Sequence, residues 1–305
     1  MEYLRAELHC HNIFSNGHVG SLEPIHDCNV TIPQQLEQAY LAGLNVLFVT
    51  NHNTIDGYKQ MLEYKKNHQK FDELKVYPAE EVTTNNEAHV LVYGIDHVIK
   101  SGLSLHEILD EAKKQNAVTI APHPFSLVDA LRDDSIYCDL FEVFNSSNVD
   151  VYSNLRAKNF ACERDLHVVA GSDSHVRSTI GRSTNLIHSE NKLDSVIDAM
   201  KHHNVSIENT VYVQPKEALE HIRYKIQNSA FFIDKYTSQF YPRALWPIKL
   251  LYKLYMIDPE GIFWNMFYRM SIVALRRISR KINFEGYDHR LFRERNLVNI
   301  LKMII

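Results

Sequence analysis

The stretch Glu7-Leu8-His9-Cys10-His11 places two imidazoles at positions i and i+2. On an extended strand such side chains point to one side, so both rings converge on one point while Leu8 and Cys10 turn the other way, toward the core. Alone, this is a weak metal half-site. It has company: His52 in Thr50-Asn51-His52-Asn53-Thr54, Glu81 in Glu80-Glu81-Val82-Thr83-Thr84, His89 in His89-Val90-Leu91-Val92-Tyr93, His123 in Pro122-His123-Pro124, and Asp173 with His175 in Gly171-Ser172-Asp173-Ser174-His175. Each cluster lies beside an apolar run. Ligands placed at or just past the ends of successive strands are how an α/β barrel builds one site from distant parts of a chain.

Strand-like runs occupy 44–49, 75–77, 89–94, 118–121, 140–144, 168–170 and 185–187, with amphipathic stretches such as 32–42 and 105–115 between several of them. This βα repetition predicts a mostly parallel sheet, closed or nearly closed, in preference to an open doubly wound sheet. There is no G-x-G-x-x-G and no Gly-rich phosphate loop, so a nucleotide cofactor is not indicated. From Pro215 onward the texture becomes helical and aromatic, with helices expected over 216–228, 246–256, 259–282 and 288–304. Pro259 is expected at the first helical position behind Asp258 as N-cap. The expected organisation is a barrel over 1–214 and a helical appendage over 215–305. The most apolar tail stretch, 262–275, is interrupted by Asn265 and Arg269 and falls short of the roughly 20 residues a membrane span needs.

At 305 residues, 45% hydrophobic and 23% charged, the composition is that of a globular chain with a sizeable core. No basic segment followed by an apolar one opens the sequence, so no signal peptide is read and the cytoplasm is the expected location. Cys10, Cys28, Cys138 and Cys162 lack C-x-x-C spacing and fit reduced thiols. The net charge of −4 divides unevenly: 16 Lys+Arg against 8 Asp+Glu from Pro215 on give +8, leaving 17 against 29, or −12, for 1–214. An acidic body gives no strong nucleic-acid signal, whereas a basic tail suits an anionic surface or an acidic partner.

In order, the motifs H-x-H, T-x-H-N-T, E-V-T, H, H-P, E-V-x-N and G-S-D-S-H resemble those of the PHP (polymerase and histidinol phosphatase) family of metal-dependent hydrolases. The resemblance covers residues 8–182. It is nearest to the stand-alone phosphoesterase branch, whose last motif continues into a Gly-Arg pair, here Gly181-Arg182. The resemblance implies a distorted seven-stranded β/α barrel of PHP type carrying two or three divalent metal ions. Residue by residue, it implies one metal on His9, His11, Glu81 and Asp173, a second on Glu81, His89 and His123 with Glu81 as the bridge, and a third on His52 and His175. Glu81 is preferred to Glu80 because it precedes Val-Thr as the family's Glu does, and Glu80 points to the opposite side of an extended segment. Zinc, manganese and iron all accept this donor set.

Two positions depart from the family pattern, which reads S-D-G and T-D-H where this chain has Ser15-Asn16-Gly17 and Thr50-Asn51-His52. An amide is a poorer ligand than a carboxylate, so the third site is expected to be weak or differently built, with His18 as the candidate replacement. Three ions carry +6 against −2 from Glu81 and Asp173, which makes a small phosphate ester or nucleotide the natural substrate. Two metals about 3.5–4 Å apart would activate a bridging water as the nucleophile. Glu81, Asp173, His175 and Arg182 are the candidate catalytic residues, with Arg182 as a bidentate phosphate clamp. Glu142 and Asn145 are read as partners that orient a ligand imidazole, and His221 is read as lying outside the site. The alternatives are a metal-dependent amidohydrolase and a non-catalytic metal-binding scaffold. The tail has two readings of its own: its aromatic faces pack on the barrel or on a second copy, or they lie on anionic lipid.

Overall fold

The computed structural model describes residues 2–20 and 24–304. The strands are β1 (Glu2–Glu7), β2 (Val46–Val49), β3 (Lys75–Thr83), β4 (His89–Tyr93), β5 (Val118–Ala121), β6 (Leu140–Asn145), β7 (Val168–Gly171), β8 (Ser183–Ser189) and β9 (Val205–Thr210). Between them run α1 (Ile32–Leu41), α2 (Asp56–Lys65), α3 (Leu105–Lys114), α4 (Tyr152–Arg164) and α5 (Leu193–Lys201). After them come α6 (Pro215–Asn228), α7 (Ala230–Phe240), α8 (Leu245–Ile257), α9 (Ile262–Phe284), α10 (Arg290–Arg293) and α11 (Leu297–Ile304).

The strands form one nine-stranded sheet in the order β7-β6-β5-β4-β3-β2-β1-β8-β9, two strands more than the seven expected. The sheet is also less parallel than expected. Four neighbouring pairs are parallel, but β4 runs against both its neighbours and β8 against both of its own. Strand β7, at one end of this order, is joined by a side chain to β8, next to the other end: Asn185 of β8 accepts from Ala170 N at 3.0 Å and donates to Ala170 O at 2.7 Å in β7, taking the place of a strand neighbour. The result is a nearly closed, distorted barrel. A cavity of about 810 Å³ lies along the seam, lined by β7, β9 and α4.

Side-chain parity explains the layers. In β2, Val46 and Phe48 join the inner core with Leu4, Ala6, Leu91, Tyr93 and Ile120, while Leu47 and Val49 join an outer core with Leu36 and Met61 under α1 and α2. Strands apolar on both faces are what helix-covered sheets require. A second outer core packs Val90, Val92 and Phe141 against Ile108 of α3 and Phe160 of α4. Fully burying one such side chain contributes about 1.5–3 kcal/mol, so these clusters dominate the stabilisation.

The tail differs in detail from expectation. Pro259 sits in a turn, Gly261 is the N-cap of α9, and the helix begins at Ile262. The helix expected over 288–304 is two, α10 and α11. The inner face of α9 is fixed to the barrel: Ser279 Oγ donates to Asp150 at 2.6 Å, and Ile278 and Ile282 pack with Leu127 and Met303.

Candidate metal centre

Parity carries from the core to the rim. In β3, Tyr77 and Ala79 face inward, so Glu81 also faces inward, whereas Glu80 shares the outward side with Val82 and accepts from Ile99 N at 2.6 Å. In β4, Leu91 and Tyr93 face inward and so does His89. Because β4 is antiparallel to β3, with His89 opposite Thr83, its first residue reaches the rim where β3 ends. Inward parity in β7 falls on Val169 and then Gly171, where a Cβ would stand 1.9 Å from Glu142 Oε1 and 2.7 Å from His9 Cβ. Only glycine fits there.

Glu81 is the hub. Its Oε1 lies 2.9 Å from His89 Nδ1 and 3.1 Å from His123 Nε2, while its Oε2 lies 3.2 Å from His11 Nε2, 3.4 Å from His9 Nε2 and 3.4 Å from His52 Nδ1. Asp173 Oδ1 faces His9, His11 and His175 at 3.4–3.5 Å. Several imidazoles are held by their other nitrogen or backbone: His9 Nδ1 by Glu142 Oε1 at 3.0 Å, His11 Nδ1 by Ser15 Oγ at 3.1 Å, and His175 Nδ1 by the Asp173 carbonyl at 2.9 Å. Glu142 also accepts from His123 N and from Asn145 Nδ2, and Asn145 donates to Asp173 Oδ2. These are the outer contacts that fix ring tautomer and direction in metal sites. His123 and Asp173 have φ of 29° and 50°, strain of the kind held at functional sites.

Besides Glu142, four carboxylates meet the six imidazoles, twice the number of carboxylate ligands read from the sequence. Asp129 Oδ1 lies 3.4 Å from His123 Nδ1. Asp27 Oδ2 lies 2.9 Å from His175 Nε2 and 3.5 Å from His52 Nε2, completing a group of His11, Asp27, His52 and His175. Asn16 builds this position without entering it, its Oδ1 accepting from Asp27 N and Cys28 N and its Nδ2 donating to Cys28 O and Tyr224 Oη. Asn51 is likewise consumed, accepting from Asn12 N and Ser15 Oγ and donating to Asn12 Oδ1.

Three expectations are corrected. His18 is exposed and lies outside the groups of close ligand atoms among the described residues; Asp27 occupies the place assigned to it. Arg182 is paired with the buried Glu217 of α6, which also caps that helix by accepting from Gln214 N, so the guanidinium anchors the tail to the barrel. His221 is part of the site's surroundings: its ring stacks on His175 at 4.5 Å, and Lys225, one turn further along α6, places Nζ 2.8 Å from Asp27 Oδ1. Beyond His175 and His221, a cavity of about 190 Å³ is walled by Tyr268, Ser271 and Leu275 of α9.

The donor set fits metal ions. His11 Nε2, His52 Nδ1 and His123 Nδ1 are buried without a directed hydrogen bond, although carboxylate oxygens surround them. Donors about 2.0–2.1 Å from one tetrahedral ion stand about 3.3 Å apart, the spacing observed here. The electrostatics agree. Burial would lower His9, His123 and His175, yet the carboxylates outweigh it, raising His9 well above the usual imidazole range and His123 and His175 to about 9. Burial would raise Glu81, Asp173 and Asp27, yet the neighbouring imidazoles, with Lys225 at Asp27, hold all three well below the carboxylate range. Burial and the neighbouring His175 push His11 down instead, so the cavity protonates only part of its imidazole set; a site that draws protons onto buried rings is one that demands cations.

A family model described as PHP-associated matches residues 151–205. The chain is 33% identical over 161 residues to the uncharacterized protein MJ1587 of Methanocaldococcus jannaschii, covering 90% of that protein and 51% of this one. It is 31% identical over 116 residues to a second uncharacterized protein of that organism, MJ0417, covering 48% of it and 35% of this chain. Among solved structures, PsfC from Pseudomonas syringae superposes with a TM-score of 0.54 at 17% identity, over 76% of this chain and 100% of that one. The lesion-specific endonuclease PfuEndoQ from Pyrococcus furiosus superposes with a TM-score of 0.50 at 17% identity, over 68% of this chain and 58% of that one. These two show a shared fold. Taken with the ordered ligand-type residues on the barrel rim, the matches establish that the chain belongs to the PHP family.

Proposed function

We propose that the protein is a metal-dependent hydrolase that cleaves a small phosphate ester, a phosphomonoester or a nucleotide. The observation that carries this reading is the bridging position of Glu81, with one oxygen toward His89 and His123 and the other toward His9, His11 and His52. Divalent ions held in such a set supply Lewis acidity and an acidified water, and they neutralise phosphoryl charge. His9, His11, Glu81 and Asp173 would hold one, Glu81, His89, His123 and Asp129 a second, and His52, His175 and Asp27 a third. Zinc, manganese and iron suit these donors equally.

The chain's own groups favour attack by water. Cys10 and Cys28 are buried, Cys10 donating to Phe48 O and Cys28 to His175 O, and burial pushes both thiols well above their ordinary range. Neither offers a thiolate. The lower third of the rim around Asp27 carries Lys225, a cation placed to attract the anionic part of a substrate while keeping Asp27 ionised.

The test is phosphate release from an aryl phosphomonoester by metal-reconstituted protein, beside an aryl phosphodiester, an oligonucleotide and an aryl amide. Monoester turnover that chelation abolishes and metal restores is the expected result. Turnover of the amide alone assigns the amidohydrolase reading. Binding of at least two ions per chain with no turnover of any ester or amide assigns the scaffold reading.

A further inference from the structure

Helix α9 is apolar on two opposite faces, and only one of them is covered. Tyr268, Ile278 and Ile282 are buried against the protein, with Leu275 packed beside them. On the outside, Ile262, Phe263, Met266, Phe267, Met270 and Val273 recur every three or four residues, which places them on one side of the helix. Their exposure is large for such residues: Ile262 is 88% exposed and Met270 62%. Helix α8 repeats the pattern with Trp246, Leu250, Leu254 and Ile257, of which Trp246 is 73% and Ile257 79% exposed, and Tyr255 is its one buried residue. The two helices touch through the rings of Tyr255 and Trp264, 5.2 Å apart. Exposed apolar stripes of this kind on two neighbouring helices mark an interaction site.

Charge selects its occupant. Over residues 245–281 there are seven Lys+Arg (Lys249, Lys253, Arg269, Arg276, Arg277, Arg280, Lys281) against Asp258 and Glu260. Where the apolar stripe of α9 stops at Val273, the exposed positions that follow are Arg276, Arg277 and Arg280. Lys253 and Arg269, set within the apolar stretches, are exposed and have no ion-pair partner among the described residues. In a symmetric pair of copies joined through this face, the same basic groups would oppose one another. An anionic lipid surface accepts both features at once: apolar side chains enter the acyl boundary while Lys and Arg meet the headgroups. No helix among the described residues is long and apolar enough to cross a membrane, so the arrangement is one of lying in the interface.

We propose that the outer faces of α8 and α9 form a docking surface for an anionic membrane. The test is co-sedimentation of the full chain with phosphatidylcholine vesicles, with and without about 30% phosphatidylglycerol, at low and high salt. Binding to the acidic vesicles that weakens with salt is expected. Phe263→Ser/Phe267→Ser and Lys253→Glu/Arg269→Glu should each lower it by on the order of tenfold or more, with secondary structure and metal content unchanged because all four side chains are exposed. Failure to bind acidic vesicles overturns the proposal, as does binding that charge reversal leaves intact. A stable dimer in sedimentation velocity that the Phe263→Ser/Phe267→Ser variant dissociates, with no vesicle binding, gives the face to a second copy instead.

Discussion

Lys225 Nζ lies 2.8 Å from Asp27 Oδ1, joining residues almost two hundred positions apart across the barrel rim. The ammonium takes one carboxylate oxygen and leaves Oδ2 turned toward His175 and His52. The tail therefore reaches into the candidate metal centre, and a division at residue 214 separates textures of sequence without separating functions.

Lys225→Met should destabilise the metal-free protein by about 1–3 kcal/mol, since it strips a buried carboxylate of a partner while Lys225 itself remains partly solvated. Saturating zinc or manganese should shrink that loss, because an ion at Oδ2 becomes the partner. Thermal unfolding with and without metal measures the difference; equal losses in both states would mean that Asp27 does not face a metal.

Asp27→Asn should remove about one metal equivalent and spare the others, as read by elemental analysis after reconstitution. Asn16→Asp, by contrast, should not tighten metal binding. Asn16 uses its amide N–H groups on Cys28 O and Tyr224 Oη, and a carboxylate there could take the Tyr224 O–H but would face the Cys28 carbonyl acceptor to acceptor, at a cost of about 1–3 kcal/mol. A tighter third site in that variant would return position 16 to the ligand set.

Glu81→Gln should lower occupancy at two metal positions and reduce turnover by about 100-fold or more. Glu80→Gln should keep both, and it should differ from the wild type in how stability varies with pH. Burial raises the Glu80 carboxyl from 4.5 to about 8, so the folded state holds a proton that the unfolded state releases. The wild type then loses stability as pH rises from 4.5 toward 8, by on the order of 1 kcal/mol per unit at most, and the Gln variant lacks that slope. Denaturant titrations at pH 5 and pH 8 decide it: a stability difference between the two proteins that is the same at both pH values would refute the burial argument.

Gly171→Ala should break the centre without touching a ligand. Its Cβ would overlap Glu142 Oε1, the oxygen that holds His9 Nδ1, so either Glu142 moves and His9 loses its orientation or β7 shifts. Metal affinity should fall by about 10–100-fold with most of the fold retained. Unchanged affinity would show that Glu142 does not orient His9.

Much of the centre was legible because it obeys parity and order. Glu81 rather than Glu80 follows from a two-residue period, and His9, His11, His52, His89, His123, Asp173 and His175 each stand in a recognisable motif beside a strand. Asp27 and Asp129 do not: both lie in loops, where no periodicity fixes direction, and only the folded backbone shows that they turn inward. His221 and Lys225 were hidden by distance along the chain. The antiparallel runs of β4 and β8 leave no mark in composition, since polarity is set by the connecting loops. Strand β9, Val205–Thr210, alternates half-buried and exposed residues and includes Glu208, so it lacks the apolar run that revealed the others. Arg182 looked like a phosphate ligand because the carboxylate that claims it lies on a helix read as separate.

The joint at Asn185 has a kinetic meaning. A barrel laced throughout by main-chain ladders parts only when strands separate, but here β7 and β8 meet through the Asn185 carboxamide on the amide and carbonyl of Ala170, with the Ser146 and Ser183 hydroxyls 2.7 Å apart beside it. The wall between β7 and β8 can therefore breathe on its own, and deuterium uptake at Ala170 reports that breathing separately from global unfolding. Because Gly171 ends β7 and Asp173 lies two residues beyond it, each such excursion tugs at one border of the candidate metal centre.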